Sequence, residues 1–452
     1  METVNDVQRL IQKGNRYCQE MEFLAEAETL AEMLNNYYNS DVNSRQLIEQ
    51  IHKMSVISSE IGIYTKAMKL WNKLEKVEKT QFFFPTKYFP RSDYKGYILL
   101  VSHELTRTGA PVVLQDMARI LQKNGYYVVM LSPYDGALRE ELCQEGIPVI
   151  VNKHLKNGRF QKKQDLKQFW TADIFMDVFD AAVFCTVVLH NAVVRYQEMG
   201  KPILWWLHEG RVSMEEVRGC LPAELASNVH VAYVCEYVKE RLEEIEVFYE
   251  GCVLNYGVRD TVKSSTVDVN GKIVFISVAT IDERKGQDIF VEAIGLLPLR
   301  YLMKTEFWFV GKKTDNLICD KLLMAERGYQ NIKVWGELPR EQVLKLYEEC
   351  GCIVCSSRDD PLPVVITEMM ILNRPCICSD HTGTSYYIED GINGFVFENE
   401  NAQQLCEKMM YVIDHKDELE TIGKAGRKIY EEHLSMEIFE KNLLELMEQL
   451  KG

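Results

Sequence analysis

Long apolar runs are missing from this chain: no stretch approaches the roughly 20 consecutive apolar residues of a membrane-spanning helix. That absence argues against an integral membrane protein. A positive excess is missing as well. With 52 Lys and Arg against 67 Asp and Glu, the formal charge of −15 argues against a broad nucleic-acid-binding surface, though it leaves room for a local basic cleft. Cysteine is too sparse for a disulfide scaffold: 13 among 452 residues, an odd number, in a chain whose opening Met1–Asn5 does not read as a secretion signal. The expectation is reduced thiols and a cytoplasmic setting. The densest group, Cys350, Cys352 and Cys355 with Cys376 and Cys378 downstream, lacks the compact His/Cys quartet of a zinc site. These cysteines read as small hydrophobes in buried strands.

What is present is an ordinary globular composition, 46% hydrophobic and 26% charged, at a length that suits two or three domains. Leu10, Ile11, Leu24, Leu30, Met33 and Leu34 recur at helical spacing. Residues 1–90 are therefore expected to form a helical amino-terminal segment, either packed on the main body or engaging a protein partner through residues 1–80. From Tyr97 the pattern changes. Apolar runs at Tyr97–Ser102, Tyr126–Ser132, Ile147–Val151, Ala181–Thr186, Ile203–Leu207 and Val231–Val234 alternate with helical stretches. After a polar interval at Arg259–Gly271, the alternation restarts with Lys272–Val278, Phe307–Gly311, Ile332–Trp335, Cys352–Cys355 and Pro375–Cys378.

Such alternation predicts parallel sheets covered on both faces. The expected fold class is α/β, with two doubly wound Rossmann-like units over residues 91–260 and 270–432. A carboxy-terminal helix over 433–452 is expected to pack back towards the first. Ligands in such sheets sit beyond the carboxyl ends of the strands, so the cleft between the units is the expected site. No Gly-x-Gly-x-x-Gly fingerprint follows the first strand of either unit, which sets a dinucleotide-dependent oxidoreductase far down the order.

Four loops at those strand ends carry candidate chemistry. Ser357–Glu368, reading SRDDPLPVVITE, sets Asp360 and Glu368 eight positions apart, the first in a Pro-broken loop and the second about one turn into a helix. Two such carboxylates can accept hydrogen bonds from ribose and sugar hydroxyls while the helix N-terminus offers N–H groups to a diphosphate. A solvated acidic loop entering an amphipathic helix would show the same spacing. Gly109 allows close backbone approach ahead of a helix starting near Pro111, which also describes an ordinary strand–helix turn. His208 directly follows Ile203–Leu207, where it could bond a ligand or pack as a structural histidine under Trp205 or Trp206. Arg284 and Lys285 precede a helix beginning near Gly286; paired cations there suit a diphosphate, and equally make a solvated basic turn.

Taken together, His103–Pro111, Trp205–Glu209, Asn255–Val258, Thr280–Asp288, Asp359–Met370 and the late run Ser379–Phe397 resemble, in order and spacing, the retaining glycosyltransferases of family 4. The resemblance covers residues 95–445 and implies the GT-B fold, with two Rossmann-like domains facing a cleft. It implies a nucleoside-diphosphate sugar donor, UDP-linked by family precedent, with the base read near Trp335–Leu338. The residue roles it implies place Glu368 on the ribose hydroxyls and Asp360, in the place of the family's first motif Glu, beside the donor sugar. Lys285 would neutralise the diphosphate as the bond breaks, and His208 would contact the transferred sugar. The expected catalytic set is thus His208, Asp360 and Lys285. The expected donor-binding set is Gly109, Thr280, Arg284, Lys285, Leu362, Pro363, Val364, Val365 and Glu368.

The same resemblance implies transfer with retention by front-face attack, in which the departing diphosphate helps accept the acceptor's proton. No protein nucleophile, cofactor or metal is expected, because Lys and Arg replace the metal electrostatically. The acceptor would be a glycan, a lipid-linked molecule or a protein, in glycan or cell-surface polysaccharide biosynthesis. A cytoplasmic station is expected, with transient contact at the inner face of the membrane allowed and no nucleic-acid partner. Departures from the family pattern stand out. Asp360 is one methylene shorter than the family's Glu. Pro361 and Pro363 replace common glycines and have no N–H, which leaves Leu362, Val364 and Val365 as backbone donors. Thr280 stands where the family has Arg, with Arg284 four residues later as its substitute. These departures keep a rival open: a GT-B body of weak or no turnover, acting as a binding or regulatory partner.

Overall fold

The computed structural model describes residues 80–83, 94–152, 155, 179–260 and 271–450. The helical expectation for residues 1–79 and most of the polar interval at 259–271 lie outside the described residues. Within the span expected to be helical, Thr80–Phe83 (β1) is instead a strand. Its Phe-rich sequence suits a pleated backbone, and it pairs antiparallel with β4 (Val149–Asn152), Thr80 opposite Asn152.

The remaining strands of the first sheet are β2 (Tyr97–Ser102), β3 (Tyr127–Ser132), β5 (Ala181–Cys185), β6 (Ile203–Leu207), β7 (Val229–Tyr233) and β8 (Gly251–Val253). They lie in the order β1-β4-β3-β2-β5-β6-β7-β8. Ladders β2–β3, β2–β5, β3–β4 and β5–β6 are parallel. Strands β3, β4, β5 and β6 are buried at every position. That explains why they read as continuous apolar runs rather than alternating ones.

The second sheet comprises β9 (Ile273–Val278), β10 (Thr305–Val310), β11 (Ile332–Gly336), β12 (Cys352–Cys355), β13 (Cys376–Ser379) and β14 (Phe395–Phe397). Its order is β11-β10-β9-β12-β13-β14, and every ladder is parallel. The chain starts at the centre, builds outward on one side, then returns to β12 on the other. The loops after β9 and β12 therefore leave neighbouring strands at a topological switch point. Aromatic packing fixes this sheet: Phe275 stacks on Phe307 at 5.8 Å, and Phe290 meets Phe309 at 5.0 Å. Each such buried ring is worth about 1.5–3 kcal/mol of transfer free energy. The cysteines of β12 and β13 are part of this interior, as the sequence predicts: Cys352, Cys376 and Cys378 are fully buried, and burial pushes their thiols up.

By contacts, the described residues form two compact units. The first holds those up to Trp206, Gly219–Val231 and Leu444 onwards; the second holds Leu207–Arg218 and Ala232–Leu443. His208 and Gly210 thus belong to the same compact unit as the β9 and β12 loops.

Candidate functional site

The loop after β9 and the loop after β12 are tied together residue by residue. Gly286 ends the first loop at φ +63°, and a methyl group there would overlap the Ser356 carbonyl, so only glycine lets the two backbones approach. Ser356 Oγ donates to Gly286 O at 2.7 Å. Arg358 N donates to Arg284 O at 2.8 Å, and its guanidinium reaches Glu283 O at 2.6 Å and grips both Asp288 oxygens at 3.0 Å. Arg284 returns the contact, Nη1 donating to Asp359 O at 2.9 Å. Across this junction Lys285 Nζ pairs with Asp360 Oδ2; their side chains are only 16% and 11% exposed. Two of the predicted catalytic residues, 75 positions apart, are thus brought together.

Glu368 lies on the helix Val364–Ile371, capped by Pro363. Its carboxylate is almost fully buried and carries two donors, Arg340 Nη2 on Oε1 and Tyr347 OH on Oε2 at 3.0 Å. Burial pushes the Tyr347 phenol well above its ordinary range, and the Glu368 carboxylate adds to the effect, so Tyr347 stays protonated and donating. Burial works against the Arg340 charge, but the bond to Glu368 outweighs it and holds the guanidinium proton. Neither Arg340 nor Tyr347 is singled out by sequence reasoning. Both lie on the helix Arg340–Glu349, whose apolar spacing is unremarked in the motif that carries Glu368.

The Pro-broken loop is held by its carbonyls. Pro361 O accepts from Cys235 Sγ at 2.8 Å and Leu362 O accepts from Tyr256 OH. Gly383 packs so closely on Pro361 O that a methyl group there would overlap it. Asp360 N donates to His381 O at 3.1 Å, and Gly383 N to Asp360 O at 2.9 Å. With the carbonyls engaged and Pro361 and Pro363 lacking N–H, the first-turn N–H groups of Val364 and Val365 are the donors a helix start presents to an anion. Val364 is exposed and Val365 half-buried, whereas Leu362 is buried.

His208 is half-buried, its ring parallel to that of Tyr256 within 7° and 6.3 Å between centroids. Two residues on, Gly210 lies against the Asp359 carboxylate with no room for a Cβ. Asp359 accepts from Tyr237 OH at 2.8 Å and from Val212 N at 3.3 Å. The loop bearing His208 is thereby docked on the residue next to Asp360. Sequence reasoning passes over Asp359; a buried acid beside a site acid leaves no spacing signal.

Thr280 and Gly109 are both exposed. The Thr280 carbonyl accepts from Gln287 Nε2 at 2.9 Å. The helix expected near Pro111 starts at Gly109, which has open space at its Cβ position, so no close approach among the described residues demands glycine there. In the first sheet Thr186, which follows β5, takes φ +99°, rare for a β-branched residue and the kind of strain that gathers at functional sites. The Trp335 ring carries Lys333 Nζ 3.4 Å from its centroid and meets Trp308 at 5.8 Å. Among the described residues, no group of three or more His, Cys, Asp or Glu side chains is arranged to hold a metal, and no helix is long and apolar enough to cross a membrane.

Two parallel sheets with interleaved helices, and a site at a switch point lined by paired cations and carboxylates, define an α/β glycosyltransferase fold of the GT-B class. Comparison with known proteins gives the family. Residues 258–429 match the family described as glycosyl transferases group 1, and residues 95–219 match glycosyl-transferase family 4. The chain belongs to the family 4, group 1 glycosyltransferases. Among curated proteins it is similar to an uncharacterized glycosyltransferase of Methanocaldococcus jannaschii, 24% identical over 43% of this chain and 52% of that protein. It therefore spans about half the length of that relative. It is also similar to spore coat protein SA of Bacillus subtilis, 23% identical over 70% of this chain and 85% of that one. Among solved structures, HepE of Anabaena in complex with UDP-glucose superposes with a TM-score of 0.63 at 17% identity, covering 78% of this chain and 100% of that chain.

Proposed function

We propose that this protein transfers a sugar from a nucleoside-diphosphate sugar, UDP-linked, to a glycan, lipid-linked or protein acceptor, with retention of anomeric configuration. The observation that carries this reading is the Lys285–Asp360 pair at the switch point, with the helix that starts at Val364 and bears Glu368 following directly on the same loop. Glu368 accepts the ribose hydroxyls. Lys285 and Arg284, with the N–H groups of Val364 and Val365, hold the diphosphate. Asp360 and His208 face the sugar. The crystal structure of HepE with UDP-glucose, a protein sharing the fold, supports the choice of a uridine donor.

In the reaction the bond from the anomeric carbon to the diphosphate oxygen breaks, and the acceptor hydroxyl adds to the same carbon from the same face. The acceptor's proton passes to the departing phosphate oxygen. Charge therefore builds on the diphosphate, where Lys285 and the helix N-terminus stabilise it; losing one such preorganised donor typically costs about 10²–10³ in rate. Metal is not required in this scheme, and turnover should persist in chelator. The relatives' names, which include an amylovoran biosynthesis glycosyltransferase of Erwinia amylovora, support a role in polysaccharide assembly.

Calorimetry of the full chain against UDP-, GDP- and ADP-sugars tests the reading. One class of donor should bind wild type and fail to bind Glu368→Ala. Binding of none, or binding indifferent to Glu368, would sink it. If donor binds but no transfer or donor hydrolysis is detected in wild type, the protein is a nucleotide-sugar-binding partner rather than an enzyme.

A further inference from the structure

We propose that Arg340 is a positioning residue that sets the donor site's demand for an intact ribose diol, acting through Glu368; this rests on the nucleotide-sugar function proposed for the same site. Arg340 and Tyr347 are seven positions apart on the helix Arg340–Glu349, two turns, and so share one face. From that face Arg340 takes Oε1 of Glu368 and Tyr347 takes Oε2. The terminal torsion of a glutamate is broad and soft when nothing holds it. Here two donors from one rigid helix fix the plane of the carboxylate.

The stoichiometry then matters. A carboxylate offers about four lone-pair sites. Two are filled from the protein, and two remain, the number that the 2′- and 3′-hydroxyls of a ribose donate. A site built to accept a hydroxyl rejects the analogue lacking it, because the acceptor is left without its partner.

Two further observations separate Arg340 from an ordinary surface ion pair. Its side chain is 52% exposed while that of Glu368 is 5% exposed, so a half-exposed arginine reaches a carboxylate that itself sees almost no solvent. It is also the first residue of its helix, after Pro339, where the helix dipole disfavours a cation. Helix stability does not explain an Arg there; its hold on Glu368 does. Tyr347, fully buried, forms the fixed inner half of the clamp.

The test uses the full chain and whichever of UDP, GDP or ADP binds wild type best, alongside its 2′-deoxy counterpart, by titration calorimetry. In Arg340→Ala the ratio of ribo to deoxy affinity should fall about tenfold, a change of about 1.4 kcal/mol. Deoxy affinity should stay close to wild type, and Arg340→Lys should recover part of the ratio. An equal loss for both nucleotides would make Arg340 merely structural, and tighter binding of both would make it a competitor that the ligand displaces; either overturns the proposal, as does an unchanged ratio. If nucleotide binding depends on Glu368 but the ratio ignores Arg340, only this inference fails. If wild type binds no nucleotide, the function and the inference fall together.

Discussion

Lys285 Nζ and Asp360 Oδ2 form an ion pair at the switch point of the second sheet, with both side chains more than four-fifths buried. The pair joins a loop that leaves the central strand to a loop that leaves its neighbour, so each charge has a structural duty besides any catalytic one. Removing one partner of such a pair strands the other. Lys285→Ala should destabilise the protein by about 3 kcal/mol, read by urea unfolding, and the double variant Lys285→Met/Asp360→Leu should recover most of that loss. Sugar transfer should remain abolished in both. Recovered activity in the double variant would remove Lys285 from the reaction.

Asp360→Glu lengthens the side chain by one methylene and keeps its charge. The nucleoside diphosphate alone should bind as it does to wild type, because Glu368 and the helix start at Val364 are untouched. The order of preference among donor sugars should change. Competition assays across a set of UDP-sugars read this directly, and an unaltered order would place Asp360 away from the sugar.

Asp359 is buried at 6% exposure and depends on Tyr237 OH, 2.8 Å away. Tyr237→Phe deletes that donor and keeps the ring, at a cost of about 1–3 kcal/mol for the acceptor left without its partner. Because Asp359 also seats the loop of Gly210 and His208, donor-sugar affinity should fall along with stability, whereas binding of the bare nucleoside should not. A loss confined to stability would uncouple the His208 loop from the site.

His190, fully buried, titrates below its ordinary 6.5 because burial disfavours the charged ring; the Val187 carbonyl, 3.1 Å from Nδ1, pulls the other way with less effect. The unfolded chain therefore binds this proton at a higher pH than the folded chain does. Stability from this group is intact above about pH 6.5 and is lost as pH falls through the window below it, by about 1.4 kcal/mol per unit of difference. Thermal unfolding at pH 7.5 and pH 5 should show a smaller acid loss in His190→Gln than in wild type. Equal losses would mean that the ring titrates alike in the folded and unfolded chains.

Much of the fold was legible. Parallel strands buried on both faces, such as Ala181–Cys185 and Ile203–Leu207, write themselves as short apolar runs, and the loops between them follow. Thr80–Phe83 was not legible as a strand, because its partner Val149–Asn152 lies far along the chain and no local pattern records the pairing. Strands Gly251–Val253 and Phe395–Phe397, three residues each, are too short to show periodicity. At the site, Asp360, Glu368 and Lys285 were readable as chemistry at strand ends. Thr280 was readable only by resemblance, Gly109 as a permissive turn before a helix, and the tight backbone packing at Gly286, Gly383 and Gly210 not at all.

By itself the sequence determined which groups reach the carboxyl ends of the strands and that cysteines such as Cys352 and Cys376 would be interior hydrophobes, since both follow from local periodicity and side-chain chemistry. Only the tertiary structure decided what those groups hold. Arg340 and Tyr347 meet Glu368 across 28 and 21 positions, and Tyr237 meets Asp359 across 122. Such contacts depend on strand order and on where one backbone can lie against another, and a linear pattern with period two or 3.6 carries no trace of either.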